Sequence, residues 1–136
     1  MKQRVIVGSA IRRKDEYLFV RQDNKKNSAF PGCLCIVGGG VEPGEDLEEA
    51  MRREIREETN IEVKNLKGFN FDYANLDNYK GEPYQLVFLQ YQAEYGSGEP
   101  KAGDDVSELV WVKESELEAA PLNPSARKLL EQAGIL

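Results

Sequence analysis

The stretch Gly39–Ile61 (GGVEPGEDLEEAMRREIREETNI) constrains this chain most: a glycine-rich turn runs into a helix carrying Glu54, Glu57 and Glu58. Side chains three and four residues apart stack on one side of a helix. At about 100° per residue, Leu47, Ala50, Met51 and Ile55 cluster in one sector, with Glu48, Glu49, Arg52 and Arg56 mostly outside it. Glu54 and Glu58 nevertheless fall near the centre of that apolar sector, and Glu57 at its edge. An ordinary surface helix places charge opposite its apolar stripe. A carboxylate at a buried margin is costly unless it is paired or binds a cation. A solvated acidic helix with ion pairs such as Arg53–Glu57 is the plain account of a charge run. The placement of these glutamates and the glycines before them favour a cation site instead, and such a cation would hold the oxygens of a phosphate.

Gly38, Gly39, Gly40 and Gly44 allow positive φ and close backbone approach, which predicts a tight strand-to-helix connection. They also let a main-chain carbonyl, that of Gly39, face a metal. Pro43-Gly44 is a turn signal, Asp46 suits the N-cap, and Glu48 and Glu49 suit the first helical turn. No GK[ST] follows the glycines, and their spacing is not a dinucleotide fingerprint.

The segment resembles the signature of the Nudix hydrolases, G-x5-E-x7-R-E-U-x-E-E-x-G-U with U bulky and apolar, through Gly39, Glu45, Arg53, Glu54, Ile55, Glu57, Glu58 and Ile61. Asn60 stands where the signature has its last glycine. Asn is the residue after Gly most at ease in the left-handed conformation that ends helices. Leu34 and Val37 stand where the family often has Trp and Pro, which bears on loop shape and not on the acidic set. The flanking strand order and the Trp111 strand also look like that family, so the resemblance covers most of the chain.

At 136 residues the chain fits one domain with one core, Met1 to Leu136. A net charge of −6 argues against a nonspecific nucleic-acid binder and makes an anionic substrate awkward without a cation. Met1 to Arg4 lead straight into a strand-like run with no signal peptide, and no apolar run approaches the roughly 20 residues that span a membrane. Cytoplasm is the default expectation. The chain has no histidine, which excludes imidazole mechanisms such as the Ser-His-Asp triad. Cys33 and Cys35, one residue apart, would point the same way on a strand and read as packing or loop residues. Acid–base work falls to carboxylates, lysine, tyrosine or metal-bound water.

The order of elements is mixed. Arg4–Arg13 reads as a strand, with Tyr17–Gln22 as its hairpin partner. Asp23–Gly32 is a polar loop, and Cys33–Val37 a short strand feeding the glycines. The motif helix runs about Leu47 to Thr59. Glu62–Tyr73 and Tyr84–Glu94 suit strands, with Ala74–Pro83 a polar connection. Gly96–Asp105 is a loop and Val106–Val112 a strand. Asn123-Pro124 opens a helix through Ala133, with Gly134 as stop. This order alone gives α/β or α+β; the resemblance implies an α/β/α sandwich with a mixed sheet.

Glu54, Glu57 and Glu58 are hard oxygen ligands suited to Mg²⁺ or Mn²⁺, with one to three ions in play. The resemblance implies that Arg53 orients a glutamate, Glu57, through an ion pair, with Glu45 in support; capping or surface charge is the plain alternative for both. The general base is a glutamate of the motif, Glu57 or Glu58, or a loop acid among Asp104, Asp105 and Glu108. Arg21, Lys25, Lys26 and Arg12 are candidates to touch phosphates, although lysines in polar loops are more often solvated. Phe30, Phe71, Tyr73, Tyr79 and Tyr84 are candidates to stack on a base, or core residues. Asn123 can read a purine edge or cap its helix. The resemblance implies a nucleoside diphosphate linked to another group: a nucleoside triphosphate, a nucleotide sugar or ADP-ribose. It further implies a small MutT-like pyrophosphohydrolase, in a family often dimeric, so that a homodimer is an open expectation. A nucleotide-binding sensor without turnover on the same fold is the alternative, and a protein whose acidic helix merely binds cations is a third.

Overall fold

The computed structural model describes residues 1–21, 32–103, 106 and 108–136. Strands β1 (Lys2–Arg13) and β2 (Glu16–Arg21) form a hairpin, followed by β3 (Leu34–Cys35), β4 (Val37–Gly40) and helix α1 (Leu47–Thr59). Long strands β5 (Glu62–Tyr79) and β6 (Glu82–Ser97) form a second hairpin, and β7 (Glu108–Lys113), a 3-10 turn at Glu114–Glu116 and helix α2 (Pro124–Gln132) complete the order.

All seven strands belong to one mixed sheet in the order β3-β2-β1-β6-β5, with β4 on β1 and β7 on β2. β1 runs parallel to β6 from Lys2↔Tyr84 to Arg12↔Glu94, while the other pairings are antiparallel. The second edge of β1 is shared: β4 takes Ile6–Ser9 and β2 takes Arg12–Arg13.

Alternation along the strands sends successive side chains to opposite faces. Val7, Ile11, Leu18 and Val20 pack with Met51 and Ile55 of α1, whereas Ala10, Phe19 and Leu34 pack with Leu129 and Leu130 of α2. The helices therefore cover opposite faces, as an α/β/α sandwich requires. Both caps of α1 are local: the Asp46 side chain accepts from the Glu49 N–H, and Asn60 takes the left-handed conformation at φ 62°. α2 starts as expected, with the Asn123 side chain accepting from the Ala126 N–H and Pro124 in its first turn.

Several boundaries differ from the expectations. Cys33–Val37 is not one strand, because Ile36 separates β3 from β4. Gly38–Gly40 do not form a turn but the body of β4, and of the four glycines only Gly44 has positive φ. Ala74–Pro83 is not a loop: β5 continues to Tyr79 and turns back through Lys80 (φ 52°) and Gly81 (φ 92°). Two consecutive positive φ values are the tight two-residue hairpin geometry. The polar run misleads because β5 is an edge strand, and edge strands tolerate charge and amide groups. Leu47, grouped in the apolar sector of the motif helix, is 44% exposed at the first turn of α1.

Candidate active site

Three of the four residues of β4 are glycines, and their lack of side chains shapes the site. A Cβ on Gly38 would overlap the Val7 carbonyl oxygen, one on Gly39 the Glu54 carboxylate, and one on Gly40 the Arg4 guanidinium. Glycine is needed here for room, not for φ. The strand presses against β1 and α1, and Glu58 Oε1 accepts a hydrogen bond from the Gly38 N–H at 2.8 Å.

Arg53 is the hub beside it. Its Nε and Nη2 donate to the two oxygens of Glu45 at 2.7 and 2.9 Å, a bidentate fork. Nη1 donates to Glu54 at 2.8 Å and to Glu57 at 3.3 Å, and Nη2 also reaches the Gly40 carbonyl at 3.0 Å. The expected pairing with Glu57 is present, but Glu54 is the closer partner. Glu45 stands before the helix with its Oε1 also accepting from the Glu42 N–H, so one arginine ties turn, strand and helix together.

These contacts set the electrostatics. The Arg53 fork, helped by the Glu42 N–H, lowers the Glu45 carboxyl to about 2. The same pairing raises Arg53. Glu54 moves the other way: burial raises it, against the pull of Arg53. A half-buried carboxylate whose charge is disfavoured gains from a nearby cation. Glu54 and Glu58 are half-buried and Glu57 is exposed, as their positions on the helical wheel anticipate.

Glu54, Glu57 and Glu58 line one side of a cleft of about 1200 Å³. It also reaches Arg4, Ile6, Phe88, Asn123 and Leu129 on the α2 side of the sheet. Among the described residues no three acidic or sulfur side chains converge as a ready-made metal cage. The donor set still suits a hard cation, because Glu54 fills the space that Gly39 leaves open and its charge wants compensation.

The chain matches the NUDIX domain family model over residues 2–133. It belongs to the Nudix family. The nucleoside triphosphatase NudI of Escherichia coli K12 is 34% identical, with all of both chains covered. The MutT NUDIX hydrolase of Burkholderia pseudomallei superposes with a TM-score of 0.80 at 30% identity, covering 97% of this chain and 98% of that one. The NUDIX domain of Shewanella oneidensis NrtR, solved with ADP ribose, shares the fold with a TM-score of 0.79 at 20% identity, covering 98% and 88%. The chain is thus a MutT-like Nudix pyrophosphohydrolase that cleaves a diphosphate bond in nucleoside diphosphate derivatives. Nudix hydrolases generally use divalent metals.

Gly39, Glu45, Arg53, Glu54, Glu57 and Glu58 thus come together around β4 and the motif helix. Asn123 lines the same cleft, but its amide is engaged at both ends, by the Ala126 N–H and, at 3.1 Å, by Cys35 Sγ. Arg21 and Glu108 do not line the cleft; they face each other across β2 and β7 with an ion pair of 3.0 Å. Tyr73 and Tyr79 line it, while Phe71, at 76% exposure, does not. Lys25, Lys26, Phe30, Asp104 and Asp105 lie outside the described residues. Gly103, just before those acids, donates its N–H to the Glu58 carbonyl, and a Cβ there would overlap the Glu57 carbonyl oxygen. Sequence reasoning missed both Gly103 and Arg4, because their reasons lie in distant backbone.

Proposed function

We propose that this enzyme hydrolyses a nucleoside triphosphate with Mg²⁺, or Mn²⁺, held by Glu54, Glu57 and Glu58 and by the Gly39 carbonyl. The observation that carries this reading is the division of labour among the carboxylates. Glu54 is held by Arg53 and Glu58 by the Gly38 N–H, whereas Glu57 has 60% of its side chain exposed and one longer contact. When bound, the cation supplies positive charge to the phosphate oxygens and acidity to a nearby water. Glu54 and Glu58 are the fixed ligands. Glu57 would be the looser ligand, with its second carboxylate oxygen left to accept a proton as the water oxygen bonds to phosphorus and the bridging P–O bond breaks. Arg53 and Glu45 position Glu54 and touch no substrate.

The triphosphate is favoured because the 34% identical NudI relative, matched over the whole chain, is a nucleoside triphosphatase. Ile6, Phe88 and Leu129 offer an apolar floor for a base, with Asn123 at its margin. We place the enzyme in the cytoplasm, where nucleotides and Mg²⁺ meet. No helix among the described residues is long and apolar enough to cross a membrane.

A nucleotide panel assayed with Mg²⁺ and with Mn²⁺, with products resolved, tests the substrate. Glu57→Gln and Glu58→Gln should each lower kcat by about a hundredfold or more with unchanged circular dichroism. Near-wild-type rates in both would end the site assignment, and nucleotide binding without turnover would make the protein a sensor.

A further inference from the structure

One guanidinium in the cleft has no partner among the described residues. Every other described arginine pairs with a carboxylate, except Arg13, which lies over the Trp111 ring. Arg4, half-buried on β1, makes no hydrogen bond or ion pair among the described residues. Its guanidinium sits in the notch left by Gly40. Adjacent strand residues face opposite ways, so Gly39 makes room for a carboxylate on one face of β4 and Gly40 for a cation on the other. Arg4 and the three glutamates line the same cleft, and no ion pair joins them among the described residues. The other cations of the cleft are less suited: Lys128 is taken by Asp72 at 2.6 Å, and Lys80 is exposed at the hairpin tip beside Tyr79.

A half-buried cation without a counter-charge is unfavourable in the free protein. Its planar fork matches the oxygens of a phosphate. The chain carries a net charge of −6, so a polyphosphate entering this cleft meets few positive groups. We propose that Arg4 anchors a substrate phosphate, gripping its non-bridging oxygens from the face of β4 opposite Glu54. This rests on the nucleotide reading above and adds to it a specificity element outside the signature helix.

The test compares wild type, Arg4→Gln and Arg4→Lys by calorimetric binding of an α,β-methylene nucleoside triphosphate in Mg²⁺, with steady-state kinetics alongside. Arg4→Gln should weaken binding and raise KM about tenfold or more, as loss of a charge-assisted hydrogen bond does. Its kcat should stay within about threefold, and its Mg²⁺ affinity without nucleotide and its thermal midpoint should stay unchanged. Arg4→Lys should recover part of the loss. Unchanged nucleotide affinity in Arg4→Gln overturns the anchor. A lowered midpoint without rescue by lysine also overturns it, in favour of a structural role, as does weaker Mg²⁺ binding alone. If wild type binds the analogue through Arg4 but hydrolyses no nucleotide, the hydrolase reading fails and the anchor stands. If wild type binds no analogue, the anchor fails.

Discussion

Strand β4 and the β5–β6 hairpin line the same cleft from one sheet, yet they are built by opposite means. In β4 the space beside each of three consecutive glycines is claimed by something else: a carbonyl, a carboxylate, a guanidinium. In the hairpin, Phe71 is 76% and Tyr73 61% exposed, and the register shifts at several points along the pairing. Glu54 and Glu58, two of the groups proposed to handle the cation, thus sit at close quarters with this strand. The opposite wall of the cleft is a hairpin with bulged pairing and exposed aromatic rings. This contrast suggests that cleavage chemistry and substrate choice can vary separately.

The sharpest way to break the contrast is to add one carbon to β4. Gly38→Ala places a Cβ on the Val7 carbonyl, which cannot swing away as a side chain can. A loss of about 3 kcal/mol or more is expected, read by urea denaturation. A loss under about 0.5 kcal/mol would show that β4 is not held at close quarters. Arg53→Lys should come next, because an ammonium cannot fork to Glu45 while reaching Glu54 and the Gly40 carbonyl. Arg53 retains 25% exposure, so the cost should be about 2 kcal/mol, below the roughly 3–5 of a fully buried pair. Activity should fall with it.

The same hub gives an acid signature. Glu45 sits near 2 in the folded chain against an ordinary 4.5, so the unfolded chain takes up the proton first. Its stabilisation is complete above about 4.5 and disappears as pH falls toward about 2. Glu54 is shifted upward by burial and acts in the opposite sense. Glu45→Gln should therefore flatten the loss of stability between pH 4.5 and 2.5 in thermal melts; an unaltered slope would remove Glu45 from the hub. On the hairpin, Phe71→Ser should change stability by less than about 0.5 kcal/mol in the urea experiment, and a larger change would mean that its exposed ring has a structural role.

What the sequence discloses follows the same division. Helix α1 was readable to both ends because its caps, Asp46 and Asn60, act on their own neighbours. The inward lean of Glu54 and Glu58 follows from period alone, and the α2 start from Asn123-Pro124. The glycine run reads as a turn but is a strand. Glycine's local preference points there, whereas its real cause is contact with Val7, Glu54 and Arg4 from other segments. The polar stretch Ala74–Pro83 reads as a loop because an edge strand needs no apolar alternation on its solvated side. Arg53's preference for Glu54 over Glu57 turns on tenths of an ångström that no spacing rule encodes.

Because Gly39 and Gly40 expose opposite sides of one bare ribbon, negative and positive potential are separated there by a single peptide layer. A magnesium–nucleotide complex, itself a dipole, would meet a steep gradient across that layer and be turned by it before any contact forms. Orientation would then be settled on approach, before the β5–β6 wall of the cleft is met.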